Sequence, residues 1–331
     1  MSRRIASLLS ALLLSSCIFG PDTTKPSPTP TESATPTRPP RLELSTYEYA
    51  LQTRGKIRVA IRDDAPPLSR RTASGSYDGL EPDVAREIAK AIFGTLDDPD
   101  THIEWITLGP APAPPSATPV PTGPPAPTPS TTPAPTPDVS ARTRALAALT
   151  GGQADIAFAG LVANDDNKKV IDLSDPYLHT GQRLIVKTTN DQIKEISDVA
   201  SGDQTVCAIK GSVWVQGLKK ITNDRAKILE LDTQEFCMQA LASGAADAYT
   251  SDELVLFGLV LKDPSLKVVG NRMTDDLLGI GIKKSVSADR QGFRDFINTA
   301  LLKIVADRTW AKLYEKYLTP IAGDKKQLPT D

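Results

Sequence analysis

The residues best placed to do chemistry stand where β-rich stretches of the sequence end. Arg62 follows "KIRVAI", Gly160 closes "ADIAFAG", Lys210-Gly211-Ser212 ends "TVCAIKGS", and Asp252 closes "ADAYTSD". In open α/β sheets, ligands bind beyond the carboxyl ends of the strands, so these loops are where a site is expected. The Gly-Ser turn precedes "VWVQGLKKI", and backbone N–H groups at a helix start bind anions. Arg62 is either a carboxylate partner or a solvated loop arginine paired with Asp63 or Asp64. Asp252 is either a ligand residue or a cap on the helix that follows. The chain holds two histidines, His102 and His179, and no Cys/His or His/Glu metal spacing. No GxSxG and no phosphate loop appear, so neither a catalytic residue, a metal nor a cofactor is expected.

These loops need strands and helices to hold them. "KIRVAI", "HIEWITL", "ADIAFAG", "QRLIVKT", "TVCAIKG", "ADAYTSD", "KVVG" and "LGIGIKK" read as strands. "EPDVAREIAKAIFG" puts Val84, Ile88, Ala91 and Ile92 on one helical face and ends at Gly94. "SARTRALAALTGG" and "QEFCMQALASG" are helices with glycine stops. A long amphipathic helix and a Trp-containing one follow Ala288. Alternating strands and helices predict an α/β fold with largely parallel sheets. Two passages match in pattern, "ALAALTGGQADIAFAG" and "CMQALASGAADAYTSD". Each reads as helix, glycine turn, Ala-Asp, strand, one unit used in each of two lobes.

The 331 residues carry a net charge of −2, which gives no ground for a nucleic-acid partner. "MSRR" and the short apolar "IASLLSALLL" form a targeting segment too short to span a bilayer. "LSSC" resembles the bacterial lipobox, which makes Cys17 the lipidated first residue of the mature protein and ties the chain to a membrane. Pro, Thr and Ser dominate residues 21–40, which cannot build a core and read as a spacer. A second tract of the same character begins at Gly109. If Cys17 carries lipid, Cys207 and Cys237 remain as a pair, and an exported pair is more often bridged than free. A bridge closing that loop stabilises by roughly 3–4 kcal/mol in the chain-entropy description.

Five stretches in order carry a family resemblance. They are "YDGLEPDVAREIAKAIFG", "LAALTGGQADIAFAG", "NKKVIDLSDPYLHTGQRLIV", "ALASGAADAYTSDE" and "LGIGIKK" with "TWAKLYEKYL". On these the chain resembles the extracytoplasmic solute-binding proteins of amino-acid ABC transporters, family 3, polar amino acid branch. It is most similar to the actinobacterial glutamate- and glutamine-binding lipoproteins, which also carry a cysteine pair at Cys207 and Cys237. The resemblance implies a two-lobed periplasmic-binding-protein-like fold of type II with two hinge strands. The implied layout is a signal peptide at 1–17, a tether at 18–45 and lobe 1 at 46–187 with a Pro-rich insertion at 109–139. Lobe 2 then takes 188–280, lobe 1 returns over 281–322, and 323–331 is a tail. Crossovers fall at "RLIVK" and "GIGIK".

The resemblance also implies the ligand roles. Asp252 matches the aspartate that takes the ligand ammonium. The family's carboxylate arginine and hydroxyl stand at Asn167 and Val162 here, with backbone groups near Ala159 and Gly160 still present. Arg62 matches a basic position in relatives that bind acidic amino acids, and Lys210, Gly211 and Ser212 match a turn that receives the ligand carboxylate. The expected function is capture of an acidic amino acid or its amide, on the outer face of the cell membrane, for an ABC permease. Some proteins of this fold are dehydratases, so the fold alone does not exclude catalysis. Loss of the arginine at Asn167 keeps a second reading open, a sensory or protein-interaction lipoprotein.

Overall fold

β-branched residues after Lys56 form strand β1 (Ile57–Ile61), buried apart from a half-exposed Arg58. A computed structural model describes residues 42–94, 98–109, 141–284 and 288–322. The signal segment with Cys17, most of the spacer and of the Pro-rich insertion, and the tail lie outside the described residues. Helix α1 (Tyr47–Arg54) precedes β1. The short strands β2 (Asp64–Ala65), β3 (Ser69–Arg71) and β4 (Tyr77–Asp78) follow it as a small antiparallel sheet. Next come α2 (Leu80–Phe93), β5 (Ile103–Thr107), α3 (Ala141–Thr150), β6 (Ile156–Phe158), the short α4 (Asp165–Val170) and β7 (Asp172–Thr180).

The chain then enters a second sheet. It runs β8 (Gln182–Lys187), α5 (Ile196–Val199), β9 (Thr205–Ile209), α6 (Val213–Thr222), β10 (Lys227–Leu231) and α7 (Gln234–Ser243). β11 (Ala248–Asp252), α8 (Glu253–Lys262) and β12 (Leu266–Val269) complete this lobe. β13 (Asp276–Ile282) returns to the first sheet, and α9 (Ala288–Ala306), α10 (Thr309–Tyr317) and α11 (Thr319–Ala322) close the chain. The first sheet has the order β5-β1-β6-β13-β7 and the second β10-β9-β11-β8-β12. In each sheet four strands point the same way and one, β13 in the first and β8 in the second, runs antiparallel to its two neighbours. Apolar side chains cover both faces of both sheets, the arrangement that mostly parallel strands require.

The crossings differ from the expected ones. "RLIVK" pairs with β11 and β12 inside the second sheet, and "GIGI" pairs with β6 and β7 inside the first. The chain changes sheet at Gly181 and again between Val269 and Asp276. The lobe boundaries therefore move from 187/188 and 280/281 to these two segments. The two crossings touch: Met273 N donates to Gln182 O at 2.8 Å and Gln182 N to Thr274 Oγ1 at 2.9 Å. A Cβ on Gly181 would lie 2.0 Å from Thr274 O, so only glycine permits the approach. Glu253, buried at the start of α8, ties the crossings together by accepting from Arg183 and Arg272. Cys207 on β9 and Cys237 on α7 are joined by a disulfide, Cα–Cα 5.5 Å, as the pair predicts.

The repeat seen in the sequence is a structural repeat. Asp155 N donates to Arg58 O at 2.9 Å, and the Asp155 carboxylate accepts from Arg58 N at 2.7 Å. In the second lobe Asp247 N donates to Thr205 O, and its carboxylate accepts from Thr205 N, both at 2.8 Å. Ala154 N and Ala246 N likewise bond back to Ala148 O and Ala240 O. Each aspartate thus clasps the first residues of a parallel neighbouring strand and fixes the register of the strand whose far end meets the ligand loops.

Candidate functional site

A cleft of about 800 Å³ lies between the sheets, at the carboxyl ends of β1, β6 and β11. The first lobe supplies Arg62, Asp64, Pro66 and Leu68 after β1, Glu81 on α2, Arg142 on α3, and Gly160 and Val162 after β6. The second supplies Val213 and Trp214 on α6, Gln234 and Glu235 on α7, and Asp252, Val255 and Lys262 on or beside α8. The crossings add Gln182, Thr274 and Asp276. This is where strand topology says a ligand belongs.

Two arginines reach the cleft in different states. Arg62 Nε donates to Asp64 Oδ1 at 2.9 Å, so the loop-pairing alternative is realised. Arg142, from the first turn of α3, donates through Nε (3.0 Å) and Nη2 (2.5 Å) to the amide oxygen of Asn167. Asn167 itself is 1 % exposed and does not line the cleft. Its Nδ2 donates to Val162 O at 2.7 Å, and its backbone N–H donates to the capping Asn164 Oδ1 at 2.9 Å. The expectation that Asn167 faces the ligand is thus corrected. The residue sits behind a guanidinium and holds it.

The acids are buried. Asp252 caps α8, taking Leu254 N on Oδ1 at 2.8 Å, and takes the Thr180 hydroxyl on Oδ2 at 2.9 Å. Both alternatives for this residue therefore coexist, since it caps a helix and also lines the cleft. Burial pushes its carboxyl up to about 6, against those two hydrogen bonds. Glu81 is 1 % exposed and accepts from the Tyr177 hydroxyl at 2.6 Å. Burial pushes it up to about 7, while the Tyr177 and Ser69 hydroxyls and the nearby Arg62 charge work the other way. Tyr177 is raised well above its ordinary value by burial and by Glu81. A cation entering the cleft would favour the ionised form of both carboxyls.

Other expected residues fall elsewhere. Lys210, Gly211 and Ser212 are not among the cleft-lining residues; the next two, Val213 and Trp214, are. The turn directs the start of α6, not its own side chains, at the ligand space, and Ser212 makes no side-chain cap. Gly160 has φ +61° and open space beside it, so its backbone, not its size, is what the turn uses. Sequence reasoning missed Arg142 and Glu81. The first had a signal, two arginines in a helix's first turn with no acid beside them, where the macrodipole disfavours cations. The second had none, since its burial depends on a tyrosine far along the chain.

Known proteins share this architecture. An ancestral cationic amino acid solute-binding protein is 27% identical, with TM-score 0.58, and the match covers 82% of this chain and 99% of that one. The L-cysteine solute receptor of Neisseria gonorrhoeae, 20% identical with TM-score 0.56 over 85% of this chain and 96% of that one, supports the fold. In sequence, the glutamine-binding protein GlnH of an ABC transporter of Bacillus subtilis is 26% identical over 270 residues, 81% of this chain and 83% of the relative. The glutamate-binding protein GluB of Corynebacterium glutamicum is 28% identical over 270 residues, 80% and 79%. The profile of one family matches residues 138–320, more than half of the chain. With its two type II lobes and the cleft between them, the chain belongs to the bacterial extracellular solute-binding proteins, family 3.

Proposed function

We propose that the chain captures an amino acid, an acidic one or its amide, in the interlobe cleft and presents it to an ABC permease. The proposal includes a lipid anchor on Cys17 that holds the protein at the outer face of the cell membrane. One observation carries the ligand class. A guanidinium with no carboxylate partner among the described residues, Arg142, shares a cleft with the buried carboxyls of Asp252 and Glu81. That pairing complements a zwitterion, whose carboxylate and ammonium each need a charged partner out of water. The names of GlnH and GluB favour glutamine and glutamate among amino acids. The sensory alternative drew on a lost arginine at position 167 together with the long tether and the insertion, and Arg142 beside Asn167 favours capture over the first of these grounds.

Calorimetric titration of the full-length chain with glutamate, aspartate, glutamine, asparagine, arginine and histidine tests the proposal. The expected result is micromolar or tighter binding of glutamate or glutamine near neutral pH. Affinity is expected to weaken as pH falls through about 6, where Asp252 takes up its proton. A folded chain that binds none of the six contradicts it.

A further inference from the structure

We infer that Arg142 holds the ligand's α-carboxylate in this chain, with Asn167 as the residue that positions it. The inference rests on the amino-acid reading above and names the group that reading needs.

The hydrogen-bond geometry leaves the guanidinium half used. Its Nε and Nη2 both donate to Asn167 Oδ1, which occupies one edge of a planar fork with five N–H donors. The Nη1 edge remains for a carboxylate, which a guanidinium binds in a two-point fit. The partner already in place is a neutral amide, so the positive charge is not cancelled. Arg62, the other arginine of the cleft, is different: Asp64 holds it directly and Glu81 lies within its field.

The position of Arg142 points the same way. It stands in the first turn of α3, which contains no acidic residue, and a cation there works against the helix macrodipole. A bound carboxylate would satisfy both the guanidinium and the helix start. The internal repeat adds a second line. The offset that relates Asp155 to Asp247 relates Arg142 to Gln234, and Gln234 also lines the cleft. In both lobes, then, the start of this helix meets the ligand space, and only the first lobe puts a cation there.

Asn167 makes the placement specific. Its oxygen grips Arg142 while its Nδ2 grips Val162 O, so the guanidinium is tied to the backbone segment after β6 that lines the cleft. An apolar residue at 167 would release the arginine and leave Val162 O with the Asn164 N–H as its remaining donor.

The test is calorimetry on the full-length chain with the tightest-binding amino acid of the panel and with its α-carboxamide. Arg142→Gln is expected to weaken the amino acid about 100-fold or more, the scale of losing a charged two-point partner. It should bind the α-carboxamide about as the unaltered chain does. Arg142→Lys, which keeps the charge, should recover part of the loss, and Arg70→Gln, away from the cleft, serves as the charge control. Asn167→Ala should weaken the amino acid in the unaltered chain but add little in an Arg142→Gln background; a purely structural effect would persist in both. Arg142→Gln binding within about threefold of the unaltered chain, with its thermal unfolding intact, overturns the inference while leaving the amino-acid reading standing. If that variant fails to fold, the unaltered chain decides: equal affinity for amino acid and α-carboxamide overturns the inference, and a large preference for the acid upholds it. Binding of none of the six amino acids overturns the underlying reading and the inference with it.

Discussion

Asp155 and Asp247 perform one task in two lobes, and what surrounds them differs. Each locks a parallel strand to its neighbour through a carboxylate-to-N–H and an N–H-to-carbonyl bond. Asp155 is also buried under Tyr47, Arg54 and Arg58, and although burial opposes ionisation, the bonds from Arg58, Arg54 and Tyr47 hold its carboxyl below the usual range. Asp247 is only half-buried. At the other end of the same strands the lobes diverge in the opposite sense. Gly160 in the first lobe corresponds to Asp252 in the second, and Arg142 to Gln234, and all four line the cleft. One backbone plan thus offers donors and positive charge from the first lobe and a carboxylate from the second. The clasp builds the lobes, and the strand ends and helix starts set the charge each lobe presents to the cleft, where Glu81 adds a carboxyl from the first lobe.

That division gives measurable asymmetries. The largest concerns stability. Asp155→Asn leaves Arg54 and Arg58 without their buried partner and should cost about 3–5 kcal/mol in chemical denaturation. Asp247→Asn should cost about 1 kcal/mol, the scale of one hydrogen bond. Equal losses would mean that the cation pairs around Asp155 add nothing. Next comes Glu81. An unfolded carboxyl at 4.5 gives up its proton well before the folded one at about 7. The folded state therefore binds more protons between these values, and stability falls as pH rises through that window. The full effect is on the order of 3 kcal/mol. Glu81→Gln should flatten this fall in denaturation curves taken across the window; an unchanged slope would place the titration elsewhere. The smallest effect belongs to Gly160, where φ is +61°. Gly160→Ala should cost about 1 kcal/mol in unfolding without any steric clash, and no loss would show that the turn relaxes freely.

Much of this was legible in the sequence. The strands with β-branched runs, the glycine-stopped helices and the repeated Ala-Asp unit emerged where expected, because each is a local pattern. "DLSDPYLHT" was not read as a strand because Pro176 argues against one. It is tolerated because β7 is an edge strand and the register shifts opposite Gly279. "ELVLFGLVLK" escaped because a helix apolar on nearly all sides has no amphipathic period; it packs Leu256 into the second lobe and Leu254 and Phe257 against the first. The crossings were misplaced by a few residues, since strand partners are a property of the sheet and not of the strand. In the site, Arg62 and Asp252 were found from their place after strands, but their partners were not decidable. Asn167 looked like a loss when read alone. Its partner lies on the helix after the Pro-rich tract, and only tertiary packing brings the two together.

The cleft is proposed to hold an amino acid with its α-carboxylate on Arg142 and its ammonium on a buried carboxyl. A crystal structure of the chain with the tightest-binding amino acid of the panel tests it most directly. The predicted result is an α-carboxylate on Arg142 and the backbone beside Gly160, with the ammonium on Asp252 or Glu81. A ligand whose carboxylate instead sits on Arg62 or on the Lys210–Ser212 turn, with Arg142 turned away to solvent, would contradict it.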